Sequence, residues 1–170
     1  MSAQAQVIMA PSRPPRPPPP AAEGTARPSI FLAGTTSPTE EPDWREKLTS
    51  DLAHLPITIF NPRRADWGAS WREDMSDSRF REQVEWELEM QDRADVVVVF
   101  LHGVSAAPIS LLELGLCVRS GRAVVCALDS YSKRGNVEAV CRRYGAVFVS
   151  SMQELRDAVM ARLGAGEERR

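Results

Sequence analysis

The amino-acid sequence predicts a single doubly wound α/β domain on a five-stranded parallel sheet, and three observations carry that prediction. Short apolar runs alternate with helical patterns from Ser29 onward, as a parallel sheet with crossover helices requires. One run, Asp95–Leu101, is almost unbroken and rich in valine, as expected of a central strand covered on both faces. The length of 170 residues and the hydrophobic content of 43% suit one domain with a sizeable core.

The elements follow in order. Residues 1–28 are expected to stand outside the fold as a disordered, dispensable proline-rich tail. Eight of the 13 prolines lie there, including Pro17 to Pro20, and such a composition buries too little apolar surface to order itself. The domain is expected over 29–164. Ser29–Ala33 is the first strand, ending in Gly34. Glu41–His54 reads as a helix with Pro42 near its first turn. Ile57–Phe60 is the second strand, followed by a polar loop, Asn61–Asp77, that carries Trp67 and Trp71. Arg79–Arg93 is a charged helix. Its Glu85 and Glu89 share one face, and Gln83, Glu87 and Met90 share another. After the central strand comes an apolar helix, Ile109–Arg119. Ala123–Leu128 and Ala146–Val149 are the last strands, Val137–Tyr144 and Met152–Leu163 the last helices, and 165–170 a charged tail.

Composition excludes several classes. A net charge of −2 points to no nucleic acid polymer. The longest apolar run, Val96–Leu101, is too short to span a membrane. Cys117, Cys126 and Cys141 form no CxxC pair and read as reduced, buried thiols. His54 and His102 are isolated, so no metal site is expected. With no secretory apolar region, a cytoplasmic location is expected.

The stretch PISLLELGLCV (Pro108–Val118) contains one carboxylate, Glu113. A helix apolar nearly all round is expected to be buried, and an unpaired buried carboxylate costs several kcal/mol. The bland alternative is an acid favoured by the helix dipole, or one reaching solvent on its flexible stem. Position favours function. In a doubly wound sheet ligands bind outside the carboxyl ends of the strands, where strand order reverses. The crevice is expected on the loops Gly34–Ser37, Asn61–Trp71, His102–Ser110 and Asp129–Asn136, with Glu113 one turn into the helix after the third. Gly34 allows a ligand close to the backbone, though the chain has neither a GxGxxG nor a GxxxxGK[ST] loop. In NPRRADWGASW (Asn61–Trp71), Trp67 or Trp71 could stack on a base, and Arg63 or Arg64 could meet a phosphate or carboxylate. Alternatively the tryptophans plug the loop onto the fold and the arginines pair with Glu85 or Glu89.

Taken together, IFLAG, DW, NPRRADW, FREQVEWEL, ADVVVVF, PISLLELG and RGNVEAVCRRYG resemble the nucleoside 2-deoxyribosyltransferase-like family, in its fungal and bacterial branch. The resemblance runs from Ser29 to about Val149. It implies a flavodoxin-like sheet, homo-oligomers and active sites completed by a neighbouring subunit. It implies Glu113 as nucleophile and Glu87 as the acid near the leaving base. Phe31 falls near the family's sugar-pocket aromatic, and Asn136 matches an asparagine donated across an interface. Asn61, Arg63, Trp67, Trp71 and Ser110 complete the expected substrate-binding set with Gly34. Six residues before Glu113 the transferases carry aspartate and the related nucleotide hydrolases serine; this chain has Ala107, and Ser105 and Ser110 are the candidates to substitute. The implied activity is N-glycosyl transfer on a small-molecule nucleoside or nucleotide, with no cofactor. The alternatives are hydrolysis of a nucleotide or NAD-like N-glycoside, with Arg63, Arg64, Lys133 and Arg134 as a phosphate clamp, or a non-catalytic nucleotide-binding module.

Overall fold

A computed structural model describes residues 4–14 and 27–167, with side chains to Gly164. In chain order the elements are β1 (Gln6–Met9), β2 (Ser29–Gly34), α1 (Trp44–Leu52), β3 (Thr58–Asn61), α2 (Ser78–Arg93), β4 (Val96–Leu101), α3 (Pro108–Cys117, with a 3₁₀ turn to Ser120), β5 (Ala123–Ala127), α4 (Arg134–Tyr144), β6 (Val147–Val149) and α5 (Met152–Glu167). Among the described residues no helix is long and apolar enough to cross a membrane.

All strand pairs are parallel, and the sheet order is β1-β3-β2-β4-β5-β6. From β2 the chain steps outward to β3, then returns to place β4 on the other side of β2. The reversal therefore falls between β2 and β4, and the binding crevice of such a fold lies above their carboxyl ends. Every residue of β2, β4 and β5 is buried, as near-continuous apolar strands should be. Alternate residues feed two cores. Phe31, Ala33, Val97, Val99 and Val125 meet Trp86 and Met90 of α2, Leu114 of α3 and Cys141 of α4. Ile30, Leu32, Val98, Phe100 and Val124 meet Trp44 and Leu48 of α1 and Leu155 and Val159 of α5.

The flavodoxin-like α/β fold agrees with the expectation, but the sheet has six strands rather than five. The sixth lies inside the segment assigned to a disordered tail. Gln6–Met9 extends the open edge of β3, with Gln6 N donating to Ile57 O (2.9 Å) and Ala10 N to Asn61 O (3.1 Å). Ile8 and Ala10 are buried, and the Trp86 indole N–H donates to Ser12 O (2.7 Å). Four residues of QVIM beside a proline cluster give almost no periodic signal. Their order comes from the edge of β3, which supplies donors and acceptors that the local sequence does not reveal. Pro17 to Pro20, which dominated the compositional argument, lie outside the described residues.

Smaller boundaries also move. Helix α1 starts at Trp44 rather than Glu41, because the Asp43 side chain caps it by accepting from Arg45 N (3.0 Å); Pro42 therefore precedes the helix. Helix α4 begins three residues early, at Arg134. The C-terminal helix runs to Glu167, into the segment expected to be a charged tail, of which 168–170 lie outside the described residues. The expectation that α3 is buried all round is corrected. It sits in the outer layer and buries only one stripe, Ser110, Leu114 and Cys117. Ile109, Leu112 and Leu116 are 61%, 61% and 59% exposed in the single chain.

A chain beginning at Pro28 is expected to lose roughly 2–4 kcal/mol of stability, since Ile8, Ala10 and several edge hydrogen bonds go with β1. Urea unfolding measures this, and an unchanged midpoint would return residues 4–14 to the status of a dispensable tail.

Candidate active site

The crevice floor is built where β2 meets β4. Gly34 has φ 136°, a left-handed conformation, and a Cβ at this position would lie 2.3 Å from Phe100 O. Only glycine lets the two strand ends approach this closely. Thr35 follows, fully buried. Its N–H donates to Phe100 O (2.8 Å), and its Oγ1 accepts from His102 N (3.0 Å). Its carbonyl accepts from both the Trp44 indole (2.9 Å) and Arg45 Nη1 (2.8 Å). Arg45 further donates to Gly34 O (3.0 Å) and Leu32 O (3.4 Å). The Trp44 ring stacks on Phe100, with centroids 5.0 Å apart. Arg45 is 5% exposed, and its contacts are neutral carbonyls. Burial pushes its guanidinium down to about 10, with Asp43, Glu113 and Glu87 opposing the shift, so it stays charged at neutral pH.

Two carboxyl groups share this edge. Glu113 is half-buried on α3, and burial, reinforced by the charge of Glu87, pushes it up to about 8 while Arg45 pulls it down. Glu87 is half-buried on α2 and is also raised by burial; a hydrogen bond from Gln83 and the charge of Arg45 oppose the rise. Gln83 donates to Glu87 Oε1 (2.9 Å) and to Pro62 O (2.7 Å), tying α2 to the loop after β3. Gln91 donates to Glu113 O (3.0 Å), tying α2 to α3. The two acids named from the sequence are thus electrostatically coupled. Burial raises both, and the hydrogen bond from Gln83 opposes the rise at Glu87 alone.

Helix α3 enters under strain. Ala107 is its N-cap, with φ 44° and ψ 55°, and offers no side-chain cap. A left-handed alanine costs about 1–2 kcal/mol and persists only where its surroundings impose it. The imposed contact here is the buried Tyr131, whose hydroxyl donates to Ala106 O (2.8 Å). Ser110 is buried in the first turn of α3, and Ser105 is half-buried in the loop before it.

The remaining expected residues divide. Phe31 is fully buried, its ring centroid 6.4 Å from that of Trp86, so it is part of the core. Asn61 is buried at the end of β3 and its Oδ1 accepts from Arg63 N (3.0 Å), which turns the chain into the loop. Trp71 is buried as a plug, with the Arg64 guanidinium 4.8 Å and that of Arg79 5.1 Å from its ring centroid. Arg64 pairs with Asp66 (2.8 Å) and Glu82 (2.7 Å), and Arg63 with Glu46. The plugging alternative therefore describes Trp71, but neither Glu85 nor Glu89 is the arginines' partner. Glu89 instead pairs with Arg93 (3.6 Å) and Arg13. Trp67 packs on Trp71 at 4.8 Å yet is 45% exposed. Arg134 is engaged by Asp129 (3.3 Å), Glu138 (3.3 Å) and Ser150 (2.7 Å). Asn136 is exposed and lies inside α4 rather than at its cap, which is Lys133.

Sequence reasoning missed Arg45 and Thr35. Both lie beside recognised motifs, but neither residue type signals that its side chain will cross the strand ends.

The profile described as "Nucleoside 2-deoxyribosyltransferase like" matches residues 27–131. No curated protein matches in sequence. Among solved structures, a conserved protein from Enterococcus faecalis V583 superposes with a TM-score of 0.57 at 16% identity, covering 81% of this chain and 99% of that one. That likeness shows the fold. The profile match spans more than half of the chain and includes β2, α2, β4 and the Glu113 helix, so this protein belongs to the nucleoside 2-deoxyribosyltransferase-like family.

Proposed function

We propose that the protein transfers the glycosyl group of a deoxyribonucleoside, or a related N-glycoside, to a second base or to water. The observation that carries this reading is the coupled Glu87–Glu113 pair at the sheet's carboxyl edge, both members raised and one charged arginine acting on both. The Glu113 carboxylate attacks C1′, the C1′–N bond breaks, and its electron pair leaves with the base. Glu87 gives its proton to the departing nitrogen. The resulting glycosyl ester on Glu113 is then attacked by the acceptor, as in retaining glycosidases. In the free protein the last proton of the pair rests on Glu113 up to about 8. Attack needs that proton on Glu87, and a base nitrogen that accepts a hydrogen bond beside Glu87 favours this arrangement. The working state is therefore the pair with one proton. Arg64 and Arg134 are already occupied by carboxylates, which favours a nucleoside over a phosphorylated substrate. The assay is incubation with deoxyinosine, with and without adenine, and chromatography of the products. Deoxyadenosine marks transfer, free hypoxanthine alone marks hydrolysis, and intact substrates would overturn the reading.

Glu113→Gln should reduce turnover by about a thousandfold or more. Its stability should depend on pH in a defined direction. A carboxyl raised above its ordinary 4.5 keeps its full contribution below that value and loses it as pH rises through about 8. The glutamine variant should therefore melt like wild type near pH 4 and above it at pH 8–9, by on the order of a few kcal/mol. An active variant would remove Glu113 from the mechanism.

The pH profile of kcat/KM should be bell-shaped. Its alkaline limb should fall near about 8, where the pair loses its last proton, and its acid limb above the ordinary carboxyl range, since Glu87 is raised. A plateau continuing beyond pH 9 would contradict the one-proton state.

The reading also includes a homo-oligomer with shared sites, supported by the exposed Ile109, Leu112 and Leu116 and by the exposed position of Asn136. A neighbour would exclude water from the glycosyl ester. Inactive Glu113→Ala and inactive Asn136→Ala chains, once subunits exchange, should recover partial activity on mixing. No recovery would confine each site to one chain.

A further inference from the structure

Two buried acceptors on α2 have no hydrogen-bond partner among the described residues: Oε1 of Gln83 and Oε1 of Gln91, one turn to either side of Glu87. Each glutamine is 3% exposed. Each spends its Nε2 on a tie. Gln83 donates to Pro62 O (2.7 Å) and to Glu87 Oε1 (2.9 Å), and Gln91 donates to Glu113 O (3.0 Å). The ties fix which way the Gln83 amide faces. Turned over, it would set its carbonyl oxygen against the Pro62 carbonyl, two acceptors with no proton between them. Its Oε1 is therefore an unused acceptor, and a buried acceptor without a donor costs free energy.

The two glutamines differ in depth. Helix α2 follows β3 and runs back against the strand direction, so its first turns lie at the carboxyl edge of the sheet. Gln83 is one turn nearer that edge than Glu87 and is bonded to the loop after β3. Gln91 is one turn deeper and is bonded to the backbone of α3. A base beside Glu87 thus meets, one amide group away, an oxygen that can only accept. On one edge of a purine, N7 is an acceptor and the neighbouring C6 substituent varies. It is a donating amine in adenine and an accepting carbonyl in the 6-oxopurines. The amine would complete Gln83. The carbonyl would bring two lone pairs together where little water can intervene.

We propose that Gln83 is a specificity-determining residue of the crevice, whose unpaired Oε1 accepts from the exocyclic amine of a 6-aminopurine and so selects N-glycosides of adenine over those of hypoxanthine. This deepens the N-glycosyl reading above and rests on it. A site built to pair with one polar group discriminates strongly against an analogue lacking it, because its own buried group then stays unpaired.

The test titrates the full chain calorimetrically with adenine, unsubstituted purine and hypoxanthine, and measures kcat/KM for deoxyadenosine and deoxyinosine. Adenine should bind tightest and hypoxanthine weakest, and deoxyadenosine should exceed deoxyinosine by about ten- to a hundredfold. Gln83→Met removes the ties together with the acceptor, so it should slow both nucleosides. A merely structural role would leave their ratio unchanged, whereas loss of the acceptor should bring it close to one. If Gln83→Met fails to fold, the unaltered chain decides: the Gln83 side-chain ¹³Cδ resonance should shift with adenine more than with purine. Equal or tighter binding of hypoxanthine, no binding of any purine, a ratio kept in folded Gln83→Met, or a ¹³Cδ resonance indifferent to the amine would each overturn the assignment. If the purines are discriminated through Gln83 but no nucleoside is turned over, the glycosyl reading fails and the recognition stands. If both nucleosides are turned over without discrimination, the reverse holds.

Discussion

The close approach of β2 to β4 at Gly34 is the constraint on which the rest of the site depends. A side chain at Gly34 would strike the backbone of Phe100. With none there, Thr35 lies against β4 and exposes its carbonyl to Trp44 and Arg45. That single junction fixes the point where strand order reverses, anchors the start of α1 and places a cation at the crevice floor. The polar groups of the junction are satisfied by one another in a region closed to water, which makes it stiff.

Stiffness there lets the two helices on the opposite face carry unfavourable charge. Glu87 and Glu113 are held on α2 and α3, which Gln91 joins through the backbone of Glu113, while Gln83 ties α2 to the loop after β3. Burial raises both carboxyl groups, and the charge of Arg45 opposes the rise. Carboxyl groups raised by burial in this way cluster at functional sites. The strained Ala107 at the entry of α3 fits the same pattern of local cost carried by a well-packed sheet.

The periphery shows how the loops are held. Trp71, between two arginines and against Trp67, closes the long loop after β3 with its own acids as partners. Strand β1 covers the edge of β3, and the Trp86 indole bonds the segment that follows it. On the outer side of α3, Ile109, Leu112 and Leu116 are the most exposed large apolar side chains among the described residues.

The alternation of apolar runs and helical patterns determined the α/β class, and the valine-rich run identified the central strand, because burial on both faces leaves a signal within one short window. The isolation of Glu113 in an apolar helix, together with the spacing of Gln83, Glu87 and Met90, was legible for the same reason. Tertiary structure alone decided the rest. The order of Gln6–Met9 depends on an edge some fifty residues away in sequence. The burial of Arg45 depends on α1 folding back so that its side chain meets the carbonyls of Leu32, Gly34 and Thr35. Whether Trp71 and Arg64 face a ligand or each other depends on Asp66 and Glu82 arriving beside Arg64. Local sequence records which residues must be buried, whereas the partners that compensate a buried charge or an open strand edge come from distant segments and leave no local pattern.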